Sequence, residues 1–349
     1  MRKNYVFFDI GFYEDCNLKC AYCRKKYIKN TNTLSLFDVV QEVELVKAHY
    51  RIAVVKISGY GEITTWRNFG EVLKYLAGEF PSVQIITNGT YTKKTMEEIC
   101  KYSNVSLNIT IDGHTLEMNS YRTEHNESIQ RIVLNNFLEA MNAGIPLEIN
   151  SVLHDKNIKT YESFLEYISS VKGYGQLIVF PFPVKIFERT KMQRPHISWD
   201  KYCLHDLVDN WWKIYGDILP SYEYAKDLKS FCANGRQNVC HVNWLNIGTG
   251  ARDERLVCPN YGESLSMGDF RKSFSYLEKC EKVEKEYFKI QIGADCKTCF
   301  NHFHILNLYV EERITLDELL RIPSLNQTES IAIIKKVKEE YDALCDSIM

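Results

Sequence analysis

The first half of the chain alternates short apolar runs with longer amphipathic segments, and this alternation constrains the fold more than any other feature. The short runs are mostly rich in β-branched or aromatic residues, which favour strands. Six of them are predicted as strands: Tyr5 to Ile10, Ala53 to Ser58, Val83 to Thr87, Val105 to Ile111, Leu147 to Leu153 and Leu177 to Phe182. Repeated strand–helix units of this kind are typical of a parallel sheet.

Amphipathic segments between these runs are predicted as helices that cross over the sheet. Ser35 and Thr92 precede two of them as N-cap candidates, and Gly144 and Gly173 end two others. The predicted helices are Leu36 to His49, Phe69 to Gly78, Lys93 to Tyr102, Ile129 to Ala143 and Lys159 to Lys172. The expected fold class is therefore α/β, with six strand–helix units forming a partial (βα)6 TIM-like barrel. Its active site should lie at the carboxyl ends of the strands.

Composition narrows the class of protein. The chain has 349 residues, 45% hydrophobic and 25% charged, which allows one large core or a core plus a smaller domain. A net charge of −2 gives no general attraction to nucleic acid, so nucleic acid is not an expected partner. No stretch approaches the roughly 18 apolar residues of a membrane helix, and the start does not read as a signal peptide. We expect a cytoplasmic protein with no membrane partner.

The strand–helix pattern stops near residue 185, and four segments are predicted. Residues 1–185 form the barrel, and residues 186–231 form a helical linker that contains Trp211 and Trp212. Residues 232–310 carry a second group of cysteines and are expected to form a small α+β domain. Residues 311–349 are expected to form C-terminal helices.

The chain contains twelve cysteines, and without a secretory signal their number indicates metal binding or catalysis. Cys16, Cys20 and Cys23 lie within eight residues, in the loop after the first predicted strand. A 4Fe-4S cluster normally takes four cysteines, so three leave one iron open to a substrate. The alternative is a zinc site, which needs a fourth nearby Cys or His. The nearest histidine in sequence, His49, falls in a predicted helix.

The spacing of the three cysteines, with the aromatic Tyr22 directly before the last, resembles the radical S-adenosylmethionine (radical SAM) superfamily. That resemblance implies a 4Fe-4S cluster on Cys16, Cys20 and Cys23, and S-adenosylmethionine as the second cofactor. Reductive cleavage of the bound cofactor would give a 5′-deoxyadenosyl radical, which removes a hydrogen atom from the substrate. A low-potential electron donor of the flavodoxin or ferredoxin type is the partner that this chemistry implies.

Sequence motifs at the ends of later strands also resemble motifs of the same family. Gly59, Gly61 and Glu62 follow the second strand and are similar to the family's Gly-Gly-Glu-Pro turn, with Tyr60 inserted and Ile63 in place of proline. The turn is expected to bind the methionine amino group, with Glu62 accepting hydrogen bonds from the ammonium. The glycines would let the backbone approach the ligand.

Two more strand ends complete the set of predicted cofactor residues. Thr87-Asn88-Gly89 follows the third strand and is similar to the family's Thr-Asn-Gly. Asp112-Gly113 follows the fourth, and Arg122 comes shortly after it, similar to a Ser-x-Asp-Gly…Arg pattern. Asn-Gly and Asp-Gly are also ordinary turn formers, and Arg122 could equally be a solvated surface residue. By resemblance, Tyr22, Asn88 and Asp112 are cofactor residues and Arg122 pairs with the cofactor carboxylate.

A second cysteine group, Cys240, Cys258, Cys296 and Cys299, has the number of ligands that closes a metal site completely. It resembles the auxiliary-cluster domain called twitch, the shortened form of SPASM, which implies a second 4Fe-4S cluster. The hairpin typical of that domain would place its turn at Ile247 to Ala251. The alternative is a four-cysteine zinc site.

Three functions follow from these predictions. The leading hypothesis is an oxidoreductase that oxidises a small molecule such as an amino sugar or cyclitol, with the auxiliary cluster as electron acceptor. The chain starts fifteen residues before Cys16, which leaves no room there for a leader-binding domain and favours a small substrate. The second hypothesis is a maturase that crosslinks or epimerises a ribosomal peptide, and the third is a non-enzymatic zinc-binding interaction module. No catalytic acid or base is assigned, although Glu188, Arg189 and His196 are candidates.

Overall fold

Eight strands form one sheet in the computed structural model, which describes residues 2–23, 32–59, 61–173, 175–184, 204–237, 239–250, 255–256 and 299–348. The strands are β1 (Lys3–Gly11), β2 (Tyr50–Ile57), β3 (Val83–Thr87), β4 (Val105–Thr110), β5 (Leu147–Leu153), β6 (Leu177–Pro183), β7 (Asn246–Gly250) and β8 (Arg255–Leu256). Their order across the sheet is β6-β5-β4-β3-β2-β1-β7-β8.

Helices connect the strands and cover the sheet. The described helices are α1 (Leu36–His49), α2 (Phe69–Glu79), α3 (Lys93–Ile99), α4 (Ser120–Thr123), α5 (Glu127–Asn142), α6 (Tyr161–Val171), α7 (Leu204–Tyr215), α8 (Tyr222–Asn234), α9 (Val242–Leu245), α10 (His304–Val310), α11 (Leu316–Leu319) and α12 (Thr328–Ile348). Ser35 caps α1 in a capping box with Asp38, as the sequence predicts for this N-cap. Across the part of the chain that the structure describes, no helix is long and apolar enough to span a membrane.

The sheet curves into a partial TIM-like barrel of parallel strands. All six predicted strands are present, and each pairs in parallel with its neighbour in the chain. A seventh parallel strand, β7, pairs with β1 from Phe7–Asn246 to Gly11–Gly250, and β8 pairs antiparallel with β7. The prediction of a turn at Ile247 to Ala251 is wrong, because residues up to Gly250 are strand. This strand contains two glycines, which have low β-propensity, so the sequence pattern did not indicate a strand here.

A buried ion pair joins β1 and β2 next to the candidate site. The Lys56 ammonium on β2 lies 3.0 Å from the Asp9 carboxylate on β1, and both side chains are almost fully buried. Lys56 also lies 3.7 Å from the ring centroid of Phe303, a cation–π distance. The Ser58 hydroxyl donates to the second Asp9 oxygen. The pair therefore ties β1 to β2 just before each strand enters a loop of the site.

The amino-terminal side of the sheet is tied to the C-terminal segment. Burial raises the pKa of Glu148 on β5, and hydrogen bonds to its carboxylate oppose that rise. The Ser324 amide and the Gln84 side chain donate to this carboxylate at 3.1 and 2.8 Å. Ser82, directly before β3, donates to the Ser324 carbonyl at 2.7 Å. The turn Pro323–Leu325 thus lies near the amino ends of the strands, away from the carboxyl ends.

The buried ion pair generates a prediction about stability. Lys56→Met should lower the free energy of unfolding by about 3–5 kcal/mol, because it leaves the Asp9 carboxylate buried without its charge partner. The double variant Asp9→Asn/Lys56→Met should recover most of that loss, since it removes both charges. Urea denaturation followed by circular dichroism measures both effects.

Lys101→Met is the matched control, since Lys101 pairs with Glu98 at an exposed position. It should leave the free energy of unfolding close to that of the wild type, because an exposed ion pair contributes little. A Lys56→Met variant no less stable than this control would contradict the prediction.

Candidate active site

The loop that carries the three predicted cluster cysteines is closed at its base by backbone pairing. The segments before and after it run antiparallel, in a short ladder that continues β1 beyond the sheet. Its hydrogen bonds are Leu34 N–H to Phe12 O at 2.9 Å and Glu14 N–H to Asn32 O at 3.1 Å, with a bridge between Tyr13 and Thr33. The loop thus leaves and re-enters the fold at one fixed point at the carboxyl end of β1.

Cys16, Cys20 and Cys23 are all half-buried in this loop. Burial raises the pKa of the Cys20 thiol to about 12; Arg122 opposes the rise, and Cys23, Asp112 and Cys16 add to it. Three thiols in one loop are a donor set that suits an iron–sulfur cluster with one open iron. Among the described residues, no three Cys, His, Asp or Glu side chains form a ligand set for a single metal ion.

The turn after β2 lies directly against the cysteine loop. The Glu62 amide donates to the Asp15 carbonyl at 2.7 Å. A Cβ atom at Gly61 would lie 2.5 Å from both the Tyr13 and the Asp15 carbonyl oxygens, so a side chain at this position would displace backbone. Gly59 has a φ of +133°, which L side chains rarely adopt. Both glycines of the predicted motif are therefore required by close approach or by backbone conformation.

Glu62 is almost fully buried and accepts hydrogen bonds from two strand ends. Its Oε1 accepts from the Thr64 amide and hydroxyl at 3.3 and 2.5 Å and from the Thr87 hydroxyl at 2.7 Å. Its Oε2 accepts from the Asn88 amide at 2.6 Å. Burial raises the pKa of Glu62, and these hydrogen bonds oppose the rise. Since a carboxylate oxygen has about two acceptor positions, Oε2 retains the capacity for one more donor.

Asn88 connects three of the predicted motifs. Its side-chain amide donates to Asn17 Oδ1 at 3.0 Å and lies 3.8 Å from the Cys16 sulfur. Its backbone amide binds Glu62, and its carbonyl accepts from the Arg122 guanidinium at 3.1 Å. The third strand end is thereby in contact with the cysteine loop, the glycine turn and α4.

Arg122 is buried, which excludes the alternative of a solvated surface arginine. Its guanidinium donates to the Thr110 carbonyl at the end of β4, as well as to Asn88. Its own carbonyl lies 3.9 Å from the Cys20 sulfur. The guanidinium therefore donates to backbone carbonyls at two strand ends.

Asp112 and Tyr22 join the fourth strand end to the cysteine loop. The Tyr22 hydroxyl donates to Asp112 Oδ2 at 2.5 Å, and the Val152 amide donates to Oδ1 at 2.9 Å. Burial of the hydroxyl raises the pKa of Tyr22, and the nearby Asp112 carboxylate raises it further. Both carboxylate oxygens of Asp112 are thus bonded within the protein.

The structure brings the seven predicted cofactor residues and the first three cysteines together at one edge of the sheet. Sequence reasoning missed several residues that hold this arrangement: Asn17, Asn119, Tyr121, His154 and Asn157. His154 directly follows β5, so the rule that picked out Asn88 and Asp112 also points to it.

The second cysteine group is described only in part. Cys258 and Cys296 lie outside the described residues, as do Tyr60, Glu188, Arg189 and His196. Cys240 and Cys299 are half-buried free thiols, and the Asn301 amide lies 3.7 Å from the Cys299 sulfur. His304 is buried and begins α10, and His302 comes two residues before it.

The hydrogen-bonded carboxylate of Glu62 generates a prediction. Glu62→Gln should lower the free energy of unfolding by about 1–3 kcal/mol, because the amide replaces one acceptor oxygen by a donor and leaves the Asn88 or Thr64 donors unpaired. Urea denaturation measures the change.

Glu139→Gln, at an exposed position on α5, is the control and should be neutral. Equal stability of the two variants would show that the hydrogen bonds to Glu62 contribute nothing.

Comparison with known proteins agrees with this geometry. The family model of the Radical SAM superfamily matches residues 10–168, from the end of β1 into α6. AlbA, the antilisterial bacteriocin subtilosin biosynthesis protein of Bacillus subtilis (strain 168), is 22% identical over 282 residues, 77% of this chain and 58% of AlbA. Neomycin C epimerase of Streptomyces fradiae is 24% identical over 169 residues, 47% of this chain and 51% of the epimerase.

Solved structures share the fold. SuiB of Streptococcus suis, bound to its precursor peptide SuiA, superimposes with a TM-score of 0.62 at 13% identity, covering 85% of this chain and 71% of SuiB. The chain spans 50% to 60% of the length of the curated relatives it matches. Residues 10–168, with their three-cysteine loop at the carboxyl edge of a partial barrel, are therefore a Radical SAM superfamily domain.

Proposed function

We propose that this chain is a radical SAM enzyme that binds a 4Fe-4S cluster through Cys16, Cys20 and Cys23 and S-adenosylmethionine beside it. The observation that carries the proposal is the contact network of Asn88, which joins the cysteine loop to Glu62 and Arg122. Had these motifs lain apart in the fold, each could have been an ordinary turn. Their contact with one another supports a shared site. A flavodoxin- or ferredoxin-type protein is the electron donor that we propose.

Glu62 is proposed to orient the amino group of S-adenosylmethionine. Its Oε2 keeps one acceptor position, and a charge-assisted hydrogen bond from an ammonium is stronger than one from a neutral donor. Gly61 keeps the turn free of side-chain atoms where it approaches the cysteine loop. Glu62 is held by Thr64, Thr87 and Asn88, so its carboxylate is oriented before any ligand binds.

When bound, the cluster and S-adenosylmethionine together supply an electron and a carbon-centred radical able to remove hydrogen from an unactivated C–H bond. The chain's own residues would position these two groups and enclose them. Arg122 places positive charge beneath the site, because its guanidinium is buried next to Asn88 and its carbonyl lies near Cys20. Burial of Glu62 and Arg122 keeps water from the interior side of the site.

Anaerobic reconstitution with metal analysis tests the cofactor proposal. The wild type should bind about eight irons in two 4Fe-4S clusters and release 5′-deoxyadenosine on reduction. Cys20→Ala should lose about four irons and all cleavage, because it removes a ligand of the open cluster. Cys299→Ala should lose about four irons while keeping cleavage, if Cys240, Cys258, Cys296 and Cys299 hold the auxiliary cluster.

Cys100→Ala, an exposed cysteine at the end of α3, is the control and should match the wild type. Bound zinc without cleavage in the wild type would overturn the proposal and favour the zinc-binding interaction module. Four irons with zinc would instead assign zinc to the second group.

A peptide is the substrate class that we propose. The likeness to AlbA, named for bacteriocin biosynthesis, extends over 77% of this chain, whereas the likeness to Neomycin C epimerase covers 47%. SuiB, whose fold is shared over 85% of this chain, has been solved with a precursor peptide bound. Likeness that continues beyond the barrel supports a shared substrate class better than likeness within it.

The second candidate is the oxidation of a small molecule such as an amino sugar or cyclitol. The likeness to Neomycin C epimerase favours it. In this reaction the radical formed on substrate would lose a proton and pass one electron to the auxiliary cluster, a net two-electron oxidation. Four cysteine ligands leave no open iron, so such a cluster suits electron transfer.

The two substrate classes are distinguished by a direct assay. The reconstituted enzyme should form 5′-deoxyadenosine faster with a short peptide encoded beside its gene than without substrate, and the peptide should change mass or take up deuterium. An aminocyclitol should leave the rate unchanged. Cys20→Ala enzyme with the same peptide is the control, and turnover of the aminocyclitol alone would contradict the peptide proposal.

A further inference from the structure

Every polar atom of Asp112 is bonded to the protein. Its carboxylate accepts from the Tyr22 hydroxyl at 2.5 Å and from the Val152 amide at 2.9 Å. Its amide donates to Asn119 Oδ1 at 2.9 Å, and its carbonyl accepts from Asn157 Nδ2 at 2.8 Å. Asp112 is fully buried, so the side chain is fixed from β4, β5 and the cysteine loop together.

His154 approaches the same carboxylate from the end of β5. It is fully buried, and its Nε2 lies 3.5 Å from Asp112 Oδ2. Its Nδ1 accepts from the Lys156 amide at 3.2 Å, which places the proton of the neutral ring on Nε2, facing Asp112. The His154 amide donates to Asn157 Oδ1 at 2.8 Å, so the backbone of His154 is held by the same asparagine that binds the Asp112 carbonyl.

Tyr121 supports the loop beside this contact. Its carbonyl accepts from the Ala21 amide at 2.7 Å, and its hydroxyl donates to Asp155 Oδ1 at 2.9 Å. Its ring centroid lies 4.7 Å from that of His154, and the Tyr22 centroid lies 6.4 Å from His154 on the cysteine-loop side. The loop residues between Cys20 and Cys23 are thus attached to the end of β5 by two adjacent routes.

We propose that Asp112 and His154 are positioning residues that hold Tyr22, and with it the Cys20–Cys23 half of the loop, in the arrangement that binds the cluster. This inference rests on the proposed function, because it assigns a role toward the proposed cluster. It assigns Asp112 a role different from the one that family resemblance implies, because the carboxylate binds the Tyr22 hydroxyl of the cysteine loop and the Val152 amide of β5. Asp112 therefore acts on the cluster through Tyr22.

Iron retention in the absence of S-adenosylmethionine tests the proposal. Reconstituted Tyr22→Phe, Asp112→Asn and His154→Phe proteins are exposed to an iron chelator anaerobically, at a temperature where circular dichroism shows each to be folded. Tyr22→Phe and Asp112→Asn should release the iron of the three-cysteine cluster about 10- to 100-fold faster than wild type, as loss of an outer-shell partner does in other metal sites. Each should also shift the electron paramagnetic resonance spectrum of the reduced cluster.

The substitutions distinguish the effect of the Tyr22 hydroxyl from that of its ring, and the effect of the Asp112 charge from that of its shape. Tyr22→Phe keeps the ring and removes only the hydrogen bond. Asp112→Asn keeps the shape but offers one acceptor to two donors. His154→Phe should have the smallest effect, because its contact with Asp112 is the longest.

Tyr75→Phe is the matched control, because Tyr75 also donates its hydroxyl to a carboxylate, that of Glu44 on α1, on the outer helices. It should retain iron as the wild type does. If Tyr22→Phe and Asp112→Asn release iron at the same rate as this control and give the same spectra, the inference is overturned and the proposed function is not. The inference is also overturned if Asp112→Asn retains iron as the wild type does but binds S-adenosylmethionine more weakly. That result would make Asp112 a ligand of S-adenosylmethionine. A wild type that assembles no cluster would instead overturn the proposed function.

Discussion

Parallel pairing is the constraint on which the rest of the structure depends. It sends the carboxyl end of each of seven strands to one edge of the sheet, so loops far apart in sequence begin beside one another. The cysteine loop after β1, the glycine turn after β2 and the polar turns after β3 and β4 come together there. The shared edge therefore brings side chains from several loops to one place.

Contacts between these loops fix their side chains before a ligand is present. The buried pair of Asp9 and Lys56 joins β1 and β2 below their loops, and Glu62 and Asn88 join the loops themselves. Polar groups buried in this way are stabilising only when their partners are all in place. The edge of the sheet is therefore organised as a network in which each residue depends on residues of a different strand.

Much of the fold follows from the sequence, because the six predicted strands are buried apolar runs that the alternating pattern reveals. β7 could not be predicted in this way, since its glycines carry no such pattern and it is a strand because β1 offers it an edge. The candidate site was predicted through residue types at strand ends. The burial of Arg122 and the contacts of His154 depend on packing between distant segments, which local sequence does not encode.

The position of β1 in the middle of the sheet has a consequence for how the protein is made. Its partner on one side, β2, follows closely in the chain, but its partner on the other side, β7, begins only at Asn246. A chain synthesised from its N-terminus therefore holds an apolar strand with one unpaired edge through most of its synthesis. During that time this edge of β1 is open to pairing with other chains, so protection of β1 until its last neighbour arrives favours correct folding.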